Sequence, residues 1–112
     1  MLPEFLQLEV LKRKIRYAEE PDNPSLIKRF FQLDTPTTAD ETLLQRRLRL
    51  RGQYVLLFET IEDGNNPRHW RQTCLNVIYR PLYELQILAN SNISKQDVSL
   101  LFTRLRSIDL GA

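Results

Sequence analysis

Residues 38–62 constrain this chain more than any other stretch. Thr38-Ala39-Asp40-Glu41 has the form of a capping box. In such a box the threonine hydroxyl accepts from the amide three residues on, and the acidic side chain reaches back. Beyond it, Leu43, Leu50, Tyr54, Leu57 and Ile61 fall on one strip of a helix, and Leu44, Leu48, Val55 and Phe58 on the neighbouring strip. An apolar arc this wide predicts one long helix whose inner face is occupied. Arg47 and Arg51 stack four residues apart between the two strips. A guanidinium in that place pairs internally or lies at an opening in the core, because an unpaired buried charge is very costly. Glu4, Asp34 and Glu84 are the internal partners considered. The functional alternative is a pair of arginines that grips a carboxylate or phosphate on a binding partner. Gly52 is the weak point of the helix, by about 1 kcal/mol relative to alanine.

Only three glycines occur in 112 residues, so tight turns are few and helices are favoured over many short strands. Residues 3–20 read as a first helix, with Glu9 four before Arg13 and Arg16 four before Glu20 balancing the basic run around Lys14. Pro21-Asp22-Asn23-Pro24 breaks it, and Asn23 can cap a short second helix that carries Ile27, Phe30 and Phe31. Asp63-Gly64-Asn65-Asn66-Pro67 is a loop. Asn66 and Pro67 then start a helix over residues 68–89, with Trp70, Cys74, Val77, Ile78, Leu82, Leu85 and Leu88 on one face and a kink expected at Pro81. Ser94 is the expected cap of the last helix, where Val98, Leu101, Phe102, Leu105 and Ile108 recur at helical spacing.

The expected fold is all-α: one helical domain over residues 1–112, a compact bundle of four to five helices with residues 68–89 near its centre. The alternative is α+β, with a small antiparallel sheet around residues 47–61. Arg47-Leu48-Arg49-Leu50-Arg51 alternates as a strand would, and Asp63-Gly64 is a hairpin-type dipeptide.

Composition narrows the function. Sixteen basic against fourteen acidic residues is too balanced for a globally basic nucleic-acid binder. Cys74 is the one cysteine, which rules out an internal disulfide and fits a reducing compartment. The N-terminus lacks the pattern of a secretory signal, and no apolar run approaches the roughly 20 residues of a membrane span. A soluble, cytoplasmic protein is expected. One histidine and one cysteine exclude a tetrahedral zinc site in a monomer, and no cofactor is expected. The glycines are too scattered for a phosphate loop. His69 and Cys74 lie five apart on one helix and point in different directions, so they make a poor base and nucleophile. The expectation is a non-enzyme.

Two surfaces remain. Tyr79, Tyr83 and Ile87 are spaced by four on the side of their helix opposite Ile78 and Leu85, with Arg80 beside them. Tyrosine is enriched at interfaces. This strip, with Arg47 and Arg51 for an acidic group, is the expected contact for a protein partner or a second copy of the chain. The expected role is a small interaction or regulatory module. The alternative is a helical nucleic-acid binder using Arg68, Arg71, Lys95, Arg104 and Arg106. Arg68 and Arg71 flank Trp70, an aromatic able to stack a base. The last helix would follow Asn92-Ile93-Ser94 as a recognition helix, although that turn lacks the usual glycine.

Overall fold

The structure, a computed structural model, describes residues 2–36 and 40–110. Five helices follow in order: α1 (Glu4–Arg16), α2 (Ser25–Asp34), α3 (Leu43–Glu62), α4 (Arg68–Leu88) and α5 (Asn92–Arg106). The all-helical bundle is therefore the fold. Residues 47–61 are helical throughout, and no strand occurs among the described residues. The alternation of arginine and leucine does not pair as a strand because the turn-spaced residues Leu50, Tyr54, Leu57 and Ile61 are the ones that find a core.

Two helix starts differ from expectation, for one reason. α3 is capped by Thr42, whose hydroxyl accepts from the Gln45 amide at 3.1 Å while Gln45 Oε1 accepts from the Thr42 amide at 2.8 Å. The box expected at Thr38 falls outside the described residues, and Glu41 is engaged elsewhere. Likewise α5 is capped by Ser91, with Ser94 as the reciprocal partner rather than the cap. In both places the residue three after the expected cap is held by an arginine of α3, Glu41 by Arg49 and Asp97 by Arg51. Asn23 and Asn66 also do not cap. Pro24 and Pro67 take those positions.

α1 stops four residues short of its expected end. Ala18 adopts a left-handed conformation, φ 51°. The Glu19 amide bonds the Lys14 carbonyl at 3.0 Å and the Ala18 amide bonds that of Ile15 at 3.3 Å, a Schellman closure with alanine where glycine is usual. This termination releases Arg16 from Glu20. Arg16 instead meets Asp63 at 2.8 Å and Glu59 at 3.7 Å across the fold, and Glu20 takes Lys14.

α3 and α4 form an antiparallel hairpin, with α1 packed against α3 and α5 against α4. Trp70, Cys74, Ile78 and Leu82 are wholly buried on α4. They face Leu50, Leu57 and Ile61 of α3, Ile15 of α1, Phe30 of α2 and Leu101 and Leu105 of α5 within one core. Pro81 lies inside α4, which runs through it, and is itself buried. The Trp70 indole donates to the Ile15 carbonyl at 2.9 Å. Asn66, buried in the α3–α4 turn, donates to the carbonyls of Arg16 at 3.1 Å and Thr60 at 3.0 Å.

The Cα envelope measures 41 × 38 × 15 Å. That is a plate about two helices thick, since packed helix axes lie roughly 8–10 Å apart. A plate covers helices on fewer sides than a rounded bundle does. Leu44, Leu48 and Val55, expected as a second core strip, are accordingly exposed.

Replacing Ala18 by glycine should stabilise the protein by about 1 kcal/mol, because only glycine adopts this backbone conformation without a steric cost. Chemical denaturation of the two proteins checks this. Unchanged or reduced stability would show that the left-handed turn carries no strain.

Candidate functional site

The Tyr79–Tyr83–Ile87 strip is graded in depth. Tyr79 is half-buried against the core, Tyr83 is 53% exposed and Ile87 is 82% exposed. The Tyr83 ring stacks on Tyr79 with centroids 5.9 Å apart and leans on Phe102 of α5 at 5.7 Å. Tyr83 is thus half a packing residue, whereas Ile87 packs on little. Ile87 borders a cleft of about 230 Å³ shared with Arg46, Glu84 and Leu88. Arg80 is held over the Phe31 ring at 4.6 Å.

Arg47 and Arg51 pair with none of Glu4, Asp34 or Glu84. Arg47 donates to the Leu88 carbonyl at 2.6 Å and to Asn90 Oδ1 at 2.9 Å. It satisfies the C-terminal end of α4, where the helix dipole favours a cation. Arg51 pairs with Asp97 of α5. Together they pin the α4–α5 junction to α3 at the edge of the core. Asp34 accepts instead from Gln53 at 2.8 Å.

The most enclosed arginine pair was not among the expected site residues. Arg49 grips both oxygens of Glu41, at 2.7 and 3.2 Å. Both side chains are largely covered, whereas Arg51 and Asp97 are nearly half exposed. Assigning Glu41 to a capping box concealed this pair. The Arg49 hydrogen bond holds the Glu41 carboxyl below its ordinary value, and the bond from Arg16 does the same for Asp63.

The basic residues of the nucleic-acid alternative line two different clefts or stand at a helix start. Arg71 is taken up by the carbonyls of Ile61 at 2.6 Å and Leu110 at 3.3 Å. Arg104 shares with Arg71 a cleft of about 490 Å³ that also holds Glu62 and Asp109. Lys95 and Arg106 line a separate cleft of about 370 Å³, floored by Val98 and Phe102. Arg68 is exposed at the start of α4. Trp70 is fully buried, so the stacking role considered for it does not survive.

His69 turns away from Cys74, its Nε2 lying 2.9 Å from Asp22 Oδ1 at the surface. Cys74 is buried, which pushes its thiol up to about 12. Among the described residues no cluster of histidine, cysteine, aspartate or glutamate is able to hold a metal ion, and no helix is long and apolar enough to cross a membrane. No family model matches the chain, and neither does any curated protein or solved structure.

A carboxylate whose folded value is depressed contributes stability that is present above its unfolded value, about 4.3 for glutamate, and that is lost as pH falls through the folded value. Thermal unfolding should therefore soften below the ordinary carboxylate range. Arg49→Gln should flatten part of that acid limb while lowering the melting temperature near neutrality. An identical acid limb in the variant would show that the pair does not contribute. Cys74 should resist a disulfide reagent in the folded protein and react promptly after denaturation; rapid labelling of the native protein would contradict its burial.

Proposed function

We propose that this chain is a non-enzymatic protein-interaction module whose contact surface is the end of α4. The exposure of Ile87, one turn beyond the half-exposed Tyr83, carries this reading. Full burial of an isoleucine side chain is worth roughly 1.5–3 kcal/mol, so a partner covering this strip gains what the bundle leaves unused. Leu43 at the start of α3 and Ile93 at the start of α5 are exposed at the same end of the plate. Large apolar residues clustered at one end of a folded protein mark a docking surface.

Arg47 and Arg51 serve this surface by position. Their bonds to Leu88, Asn90 and Asp97 fix the α4–α5 junction, so Ile87 and Ile93 are presented from a rigid frame. A preorganised surface loses less entropy on docking. Arg46 and Glu84 edge the strip, so the partner best matched is an apolar helix face with charges of both signs at its rim.

Affinity capture with the wild-type protein and with Ile87→Asp, compared by quantitative mass spectrometry, tests the reading. Proteins retained by the wild type should bind the variant at least about tenfold more weakly, as expected for a charge placed in an apolar contact. Helicity should be unchanged, because Ile87 packs on little. Tyr83→Asp should show the same loss with some destabilisation, since its ring also rests on Phe102. An identical set of captured proteins for Ile87→Asp and wild type would remove the α4 end from consideration. Retention on heparin that falls steeply with salt would favour the nucleic-acid alternative instead.

A further inference from the structure

We infer that the groove between α4 and α5 docks an acidic amphipathic helix of a partner protein, with Lys95 and Arg106 as its charge anchors. The groove lies on the α5 flank of α4. It goes beyond the role proposed for Ile87 and does not depend on it. Lys95, Ser99, Phe102 and Arg106 follow one another at intervals of four, three and four residues, so they form a single stripe along α5. Together with Gln86 and Ala89 of α4 they line a cleft of about 370 Å³. Only Ala89, Asn90 and Ser91 join the two helices, which keeps the walls of the cleft in fixed relation near the turn.

Charge sets this groove apart. Arg16, Arg49 and Arg51 are held by carboxylates, and Arg47 and Arg71 by backbone carbonyls. Lys95 and Arg106 make no hydrogen bond or ion pair through their side chains among the described residues. Glu62 and Asp109 share a cleft with Arg71 and Arg104, whereas no acidic residue is among those that line the cleft of Lys95 and Arg106. Asp97, the acidic residue within α5, is turned to Arg51 of α3. The groove is thus positive at both ends and apolar between them. Val98 is buried in its floor, and the half-buried Phe102 ring leans on Tyr83 at 5.7 Å.

This pattern selects the occupant. Arg106 lies eleven residues after Lys95 on the helix, a rise of about 16 Å. A partner helix of about three turns covers that span. Acidic side chains near its two ends meet the two cations, and apolar side chains at helical spacing between them meet Val98 and Phe102. Complementary charge at both ends fixes the register of such a helix. An extended peptide would instead add to a sheet edge, and no strand occurs among the described residues. A nucleic-acid backbone calls for cations that follow its phosphates, and two cations three turns apart over an apolar floor do not supply them. Ser99 lies between the anchors, small and exposed, and leaves the middle of the stripe open to a partner.

Selection on the full chain from phage-displayed random peptides of about twelve residues, the length that spans the stripe as a helix, tests the docking. Enriched peptides should carry acidic residues near both ends and apolar residues at helical spacing between them. A fluorescein-labelled synthetic copy should bind saturably by anisotropy and gain helicity on binding. Lys95→Glu combined with Arg106→Gln should weaken binding at least about tenfold, and Ser99→Trp, which fills the groove, should do the same. The three side chains are exposed, so both variants should keep the circular dichroism of the wild type. Ile87→Ser should leave peptide binding unchanged, which separates this groove from the surface at the end of α4. Selection that enriches nothing, or only neutral or basic peptides, overturns the inference. So does binding that persists in both folded variants, or that falls as far with Ile87→Ser. A labelled oligonucleotide that binds more tightly than the peptide, and is lost in the same variants, overturns it in favour of nucleic acid.

Discussion

The fold depends on how the end of α1 is tied to the α3–α4 turn. Trp70 is wholly enclosed, and its indole finds the Ile15 carbonyl. Asn66 bonds the carbonyls of Arg16 and Thr60, and Arg16 closes the same corner onto Asp63. A buried amide or indole left without acceptors would cost about 1–3 kcal/mol, so these bonds specify one docking of α1 rather than merely permitting it. The Ile15 and Arg16 carbonyls are within reach of these donors because α1 ends at Arg16, where Ala18 turns left-handed. A local backbone choice thus sets a long-range contact.

That corner makes the two ends of the plate unequal. Around Trp70 the polar groups are paired, and Ile15, Ile61 and Cys74 are enclosed while Tyr17 stays in solvent under Arg16. At the far end, α3 begins, α4 finishes and α5 begins, and Leu43, Ile87 and Ile93 stand in solvent. Arg47 holds this end together through a carbonyl and an amide rather than through apolar packing. The far end therefore keeps apolar side chains that the bundle itself does not cover.

Spacing made the helices legible in advance. The inner face of α4, from Trp70 to Leu85, and the run Leu50, Tyr54, Leu57 and Ile61 on α3 are buried as their periodicity requires. What spacing does not contain is the number of neighbours a helix will have. Leu44, Leu48 and Val55 obey the same periodicity as the core strip and are exposed, because a plate two helices thick has no layer above them. Gly52, on that same side, was the available sign that the strip faces outward. The arginines failed differently. Arg47 was expected to meet a carboxylate and met a helix end; Arg49, which was not singled out from spacing, holds the most covered ion pair. Partners far apart in sequence are chosen by tertiary geometry. The Tyr79–Ile87 strip was legible as a strip, but its gradient from half-buried to exposed follows from where α5 crosses it.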